Sequence, residues 1–183
     1  MRYFYDVVGV VYSYDAYGNI TTVTSPLSQT AAMEYDAHGR VTASIDPLTN
    51  ETAYEYDDKG NVTTVTDLRG KITYFYYTYS GCGCSSSSGL LTKVKDPLIN
   101  EMVLEYDGNG NKTKVTDALS RSTDCFYDSM NRLTKVESPS ASGYYVTTAY
   151  DKLGQVTSTT DFEGKTVSYY YDFQGQLADS DFS

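Results

Sequence analysis

A Tyr-Asp-x-x-Gly string returns along this chain every 21 residues, from Tyr14 to Tyr35 to Tyr56, from Tyr106 to Tyr127 (where Asn131 replaces the Gly), and from Tyr150 to Tyr171. A worn copy, YTYSG, begins at Tyr77, and an eight-residue Gly/Ser/Cys-rich insertion at 82–89 carries the phase to Tyr106. Two residues added near Ser140 lengthen the interval between Tyr127 and Tyr150 to 23. About eight copies result, with a truncated ninth, YDVVG, at Tyr5. Self-similarity at this period restricts the chain to an array in which each unit packs on its neighbours. The expected organisation is a single array over residues 1–183.

One period, TAYEYDDKGNVTTVTD at 52–67, can be read residue by residue. In an extended chain Tyr54 and Tyr56 point to one side, Glu55 and Asp57 to the other. Asp57 and Gly60 suit the first and fourth positions of a type I turn, where Asp bonds its own backbone and Gly takes a left-handed bulge conformation. The run from Val62 to Thr66 is rich in β-branched residues and reads as the returning strand. Asp67 closes it; at Asp46-Pro47 and Asp96-Pro97 a proline marks the same point and ends pairing. Each period is therefore a β-hairpin plus a turn into the next. The column two before the motif Tyr holds Met33, Tyr54, Phe75, Leu104, Cys125, Thr148 and Tyr169; the column six after holds Ile20, Val41, Val62, Lys112, Leu133, Val156 and Leu177. A further apolar column three residues on, with Val23, Val65, Val115 and Val136, breaks strict alternation. Either a bulge or a sheet covered on both faces reconciles this. No helical period occurs, and the 20 Tyr and absence of Trp fit strands. The fold class is all-β, tandem antiparallel hairpins forming a twisted, curved strip or part of a hollow β-shell.

Charge and motifs narrow the chemistry. With 14 Lys+Arg against 24 Asp+Glu the net charge is −10, which repels nucleic-acid backbones and anionic lipid. No apolar run approaches the ~20 residues of a spanning helix, and any export signal is expected outside this sequence. His38, the single His, sits at a turn tip without a distinctive partner, and the pair Asp57-Asp58 lies at a solvated turn. No catalytic, cofactor or metal residues are assigned. The loop around Asp107, Asn109 and Asn111 lacks the Gly and Glu positions of a calcium loop, and turn formation explains the same residues in every copy. Cys82-Gly83-Cys84 reads as an exposed loop with free thiols or a local disulfide between Cys82 and Cys84; a link to Cys125 or a metal clip is the alternative, although the spacing and the lack of His argue against metal. Cys125 lies in an apolar column. The residues expected to matter are structural: Tyr35, Asp36 and Gly39; Tyr56, Asp57 and Gly60; Tyr106, Asp107 and Gly110; Tyr127 and Asp128; Tyr150, Asp151 and Gly154; Tyr171, Asp172 and Gly175. The motif tyrosines should form a packed ladder across successive hairpins.

A unit reading Y-x-YD-x-x-G-[NR]-[VL]-T-x-V-T-DP-L resembles the YD or RHS (rearrangement hotspot) repeat, a family found in RHS-type toxin shells, insecticidal toxin-complex cocoons, wall-associated proteins and teneurins. The resemblance covers about Tyr3 to Ser180. It implies spiralling strips of hairpins that enclose or display other domains, on the cell surface or outside a bacterial cell. In toxin relatives a terminal motif of the DPxGL kind directs self-cleavage; 46–50 and 96–100 look instead like ordinary mid-repeat turns, so a wall without cleavage machinery or cargo is expected. The implied partners are further repeats of a longer chain or identical copies in an oligomer or filament. The alternative is an adhesion module that binds a glycan or protein through its loops, above all at 78–90.

Overall fold

The structure, a computed structural model, describes residues 3–5, 9–78, 89–138 and 144–182, of which every regular element is a β-strand. The chain divides into two compact units, residues 1–76 with 94–100 and residues 77–93 with 101–183. In the first, β1 (Tyr3–Tyr5), β2 (Val11–Tyr14), β3 (Ile20–Thr24), β4 (Thr30–Tyr35), β5 (Val41–Ile45), β6 (Glu51–Tyr56), β7 (Val62–Thr66) and β8 (Ile72–Thr78) pair antiparallel in chain order. The division falls within β8, after Tyr76, and within β9 (Leu90–Lys95), after Lys93. In the second, β10 (Glu101–Tyr106), β11 (Lys112–Thr116), β12 (Ser122–Tyr127), β13 (Leu133–Glu137), β14 (Tyr145–Tyr150), β15 (Val156–Thr160), β16 (Thr166–Tyr171) and β17 (Leu177–Phe182) do the same. Each unit is thus a meander of hairpins, two strands to a repeat.

A bulge resolves the broken alternation. Tyr54 faces Val65 and Glu55 faces Thr64, but Tyr56 faces Val62, so Thr63 is an extra residue. The same shift falls at Tyr14, Tyr35, Tyr106, Tyr127, Tyr150 and Tyr171. It puts the residues six and nine after the motif Tyr on one face, with that Tyr and the residue two before it. The hairpins between repeats carry no such shift, as Thr66 facing Ile72 and Val65 facing Thr73 illustrate. A 21-residue period is odd, and side chains alternate with period two, so unless one residue per period is taken up in a bulge every second repeat would turn its tyrosines to the opposite face. The bulge keeps successive repeats in phase.

The turns share one geometry. At 57–61 the Gly60 N–H bonds the Asp57 carbonyl at 3.1 Å, the Asp57 N–H bonds the Asn61 carbonyl at 2.9 Å, and Gly60 has φ of +90°. At 46–50 the Thr49 N–H bonds the Asp46 carbonyl and the Asp46 N–H the Asn50 carbonyl, both at 2.9 Å, with Thr49 at φ +67°. Pairing therefore continues to the Asp of the Asp-Pro pair, and the proline occupies the second turn position, where its fixed φ is favoured and its missing N–H is not needed.

Burial is shallow. Among the described residues only Ala43 and Ser13 are buried, at 4% and 6% exposure, and no large side chain is fully enclosed. The apolar columns are half-covered by their own neighbours, as expected of a single layer.

Candidate functional site

The chemistry-bearing residues of the motif converge on one recurring arrangement that joins repeats. Six motif tyrosines reach back to the previous repeat and donate their hydroxyls to a backbone carbonyl: Tyr35 to Ile20 and Tyr56 to Val41 at 2.7 Å, Tyr106 to Leu91 at 2.8 Å, Tyr127 to Lys112 at 3.0 Å, and Tyr150 to Leu133 and Tyr171 to Val156 at 2.9 Å. Every acceptor except Leu91 lies six residues after a motif Tyr. Leu91 has the same role, so the repeat phase is recovered beyond the insertion at 82–89. Contact between repeats thus runs through hydroxyl-to-carbonyl bonds along a half-buried column of rings, the positions from which a packed ladder is expected. Burial pushes the Tyr106 and Tyr127 phenols above the ordinary value of 10.0.

The motif Asp closes its own turn. One oxygen of Asp36 accepts the His38 and Arg40 N–H groups at 2.8 and 3.0 Å, and the other accepts Arg40 Nε at 2.6 Å. Asp57 and Asp107 hold Asn61 and Asn111 in the same way. Asp128 holds Arg132, and Asp151 and Asp172 accept two backbone N–H groups each. The Asp-Pro turns repeat the pattern: Asp46 and Asp96 each accept two backbone N–H groups and the side-chain amide of Asn50 or Asn100. Those amides, ahead of the backbone donors, hold Asp46 and Asp96 below the usual carboxylate value of 3.8. The Asn111 amide does the same for Asp107. Carboxylates loaded with donors in this way are turn caps, as the reading of 46–50 and 96–100 as ordinary turns requires.

A second bridge was not legible from the motif. Arg40, after binding Asp36, donates Nη1 to the Asp57 carbonyl of the next repeat at 3.2 Å, and its guanidinium lies 4.6 Å from the Tyr56 ring centroid. Arg132 binds the Asp151 carbonyl at 2.9 Å and covers Tyr150 at 4.6 Å. Gln155 reaches the Gly175 carbonyl at 3.1 Å, and Asn109 and Asn111 both donate to Asn131 at 2.9 and 2.8 Å. The residue five after the motif Tyr is therefore a clip between turns. Its sequence signal was the Asn/Arg/Gln choice at that column, which carries meaning only once turns of successive repeats are known to lie side by side.

His38 is exposed at a turn tip, in a cleft with Arg40, Tyr56 and residues 57–60. Cys125 is half-buried opposite Val136. Cys82 and Cys84, with the thiol and disulfide readings that rest on them, lie outside the described residues, as does most of the 78–90 loop. Among the described residues no group of three or more His, Cys, Asp or Glu is placed to hold a metal ion.

A one-layer meander of capped hairpins, clipped together by Tyr and Arg, defines a structural repeat module. The model of the RHS Repeat family matches residues 35–72 and 106–142, so those two stretches are RHS repeats. The fold recurs in the crystal structure of TcdB2-TccC3, with a TM-score of 0.56 at 18% identity over 98% of this chain and 12% of that one. It recurs in TcdB2-TccC3 without its hypervariable C-terminal region, at 0.57 and 18% over 96% and 12%. The Photorhabdus luminescens Tc holotoxin pore gives 0.53 and 19% over 98% and 12%. The chain thus spans about an eighth of the chains it matches in fold, at 12%. None of the curated proteins matches it in sequence.

Proposed function

We propose that this chain is a non-enzymatic wall segment, one array of RHS repeats within an extracellular or cell-surface shell or scaffold that encloses or displays other domains. The observation that carries this reading is where the polar groups go. Across the described repeats the motif Tyr hydroxyl and Asp carboxylate, the groups that could otherwise bind or react, serve to close a turn or join the next repeat. A strip of this kind ends in strands whose outer backbone groups are open to pairing. Its partners are then further repeats of a longer chain or identical copies added end to end, and like copies joined this way can run on as a filament. Sedimentation at several concentrations, with electron microscopy of the product, tests the reading. Elongated species that lengthen with concentration support it. A compact species of one copy at every concentration, hydrolysing or ligating an added substrate, overturns it.

A further inference from the structure

One stretch of this acidic chain is basic. Residues 68–95 hold Arg69, Lys71, Lys93 and Lys95 and no Asp or Glu, in a sequence whose net charge is −10. Lys93 is paired with Glu101 at 3.2 Å. Lys71 and Lys95 form no ion pair among the described residues, although Lys71 lies close enough to Asp67 for its charge to be felt there. Lys95 is half-buried. Both lysines line one open cleft of about 430 Å³ in the first unit. β8 contributes Ile72, Tyr74 and Tyr76, which alternate along the strand and so share a face, with Tyr74 opposite Thr64. The return turn 96–100 adds Ile99.

The repeat requires neither the rings nor the charge. At the position of Tyr74 the two preceding copies have Ala32 and Ala53, and no other described copy has an aromatic residue there. At the position of Lys95 the preceding copies have Thr24, Ile45 and Thr66, and no other described copy has a cation. Tyr74 and Tyr76 are 38% and 42% exposed, so much of each ring faces solvent. Asp96 is the acid group on the cleft, and its carboxylate is engaged within its own turn by the N–H groups of Leu98 and Asn100 and by the Asn100 amide. Two ammonium groups therefore stand beside one carboxylate that already has its donors.

We infer that this cleft is a binding site for an aromatic carboxylate, a planar ring carrying one acid group. The rings of Tyr74 and Tyr76 offer offset or edge-to-face packing to a second ring, and Ile72 and Ile99 offer apolar area. Lys71 and Lys95 receive the acid group through charge-assisted hydrogen bonds. The cleft falls in the ~300–1,000 Å³ range of small-ligand sites. At physiological salt, charges more than about 8 Å away are largely screened, so the basic stretch and not the total of −10 sets the field that the ligand meets. The site is independent of the wall reading, because binding of a small acid and elongation of the chain are separate measurements.

Fluorescence anisotropy of 2-naphthoate titrated with the full chain, in about 0.15 and 0.5 M salt, tests the assignment. Binding should saturate and should weaken at the higher salt. The neutral isostere 2-naphthamide should bind at least about tenfold more weakly, and glucuronate, a carboxylate without an aromatic ring, should fail to displace the probe at equal concentration. Lys71→Gln with Lys95→Gln should weaken binding at least about tenfold with the melting temperature unchanged. Tyr74→Ala, which restores the residue type of Ala32 and Ala53, should weaken it as well. Lys59→Gln with Lys152→Gln changes the net charge equally, away from the cleft, and should bind as the parent does. No saturable binding by the parent, equal binding of the amide, displacement by glucuronate, or equal weakening by the Lys59 and Lys152 pair would each overturn the inference.

Discussion

At the scale of single residues, the turns are where strain and capping meet. Ile99 holds φ of +63° with a β-branched side chain, a conformation that costs an L-residue about 1–2 kcal/mol and glycine almost nothing. Ile99→Gly should therefore raise the unfolding free energy by about 1 kcal/mol, part of the gain being offset by the greater freedom of glycine in the unfolded chain. A urea titration measures this, and an unchanged or lower midpoint would show that Ile99 has packing the structure does not reveal. Gly175 should respond in the opposite sense. It has φ of +79°, and a Cβ there would sit 3.2 Å from the Gln155 amide nitrogen that bonds the Gly175 carbonyl. Gly175→Ala should cost about 1–2 kcal/mol from the backbone alone, by the same left-handed penalty. Tyr56→Phe isolates the hydroxyl that reaches Val41. Its removal should cost about 1 kcal/mol, the net worth of an ordinary hydrogen bond, and Tyr56→Ala distinctly more because the ring beneath Arg40 goes too. Equal effects from the two would mean that the ring contributes nothing.

At the scale of the hairpin, the bulge opposite Tyr56 carries the most weight. Thr63 is the residue that lets an odd period return to the same face. Its deletion leaves Tyr56 opposite Val62, Glu55 opposite Thr64 and Tyr54 opposite Val65 as consecutive pairs, so the faces should be kept and only the local bend of the bulge lost. Removing residues 42–62, a whole period of 21, joins Val41 to Thr63 in the same register and should leave a shorter array that still melts cooperatively. Circular dichroism melting of both deletions decides the matter: both should melt cooperatively, and if loss of Thr63 alone unfolds the chain, the phase argument fails. The hairpins themselves were legible in the sequence, because Asp at the first turn position and Gly at the fourth are local demands that any alignment of the repeats displays. The bulge was only half legible. Apolar residues at both Val62 and Val65 signalled broken alternation, and the parity of 21 would have chosen between the two explanations. The clip of Arg40 onto Tyr56 and Asp57 was not legible, since it joins groups 16 and 17 residues apart whose proximity depends on two intervening turns.

At the scale of the molecule, the same carboxylate cap recurs so often that proton binding acts on the array as a whole. Asn19, Asn50, Asn100 and Asn111 amides, and the Arg121 guanidinium, are the leading influences that hold Asp15, Asp46, Asp96, Asp107 and Asp117 below 3.8. Backbone N–H groups of Lys71 and Arg132 lead at Asp67 and Asp128. Asp36 is lowered as well; desolvation is its largest single influence and acts upward, but the Arg40 and His38 donors and the Arg40 charge together outweigh it. A carboxyl lowered on folding contributes stability that is fully present above its unfolded value of 3.8 and is lost as pH falls through the folded value. Tyr106 and Tyr127 work at the other end: raised on folding, they contribute stability that is present below 10.0 and lost as pH rises through the folded value. Between these limits none of the groups whose value folding shifts changes its protonation. The melting temperature should therefore be flat from about pH 5 to pH 9, fall steeply below pH 3.8 and decline again above pH 10. Each cap sits in a different turn, so no single substitution should abolish the acid limb. Asp46→Asn with Asp96→Asn retains a carbonyl acceptor at both turns but removes two titrating groups, and the acid limb should become shallower without disappearing. Thermal melts from pH 2 to pH 11 check this: a parent curve that stays flat down to pH 2 would mean that the turns do not depend on ionised Asp, and the capping scheme would have to be abandoned.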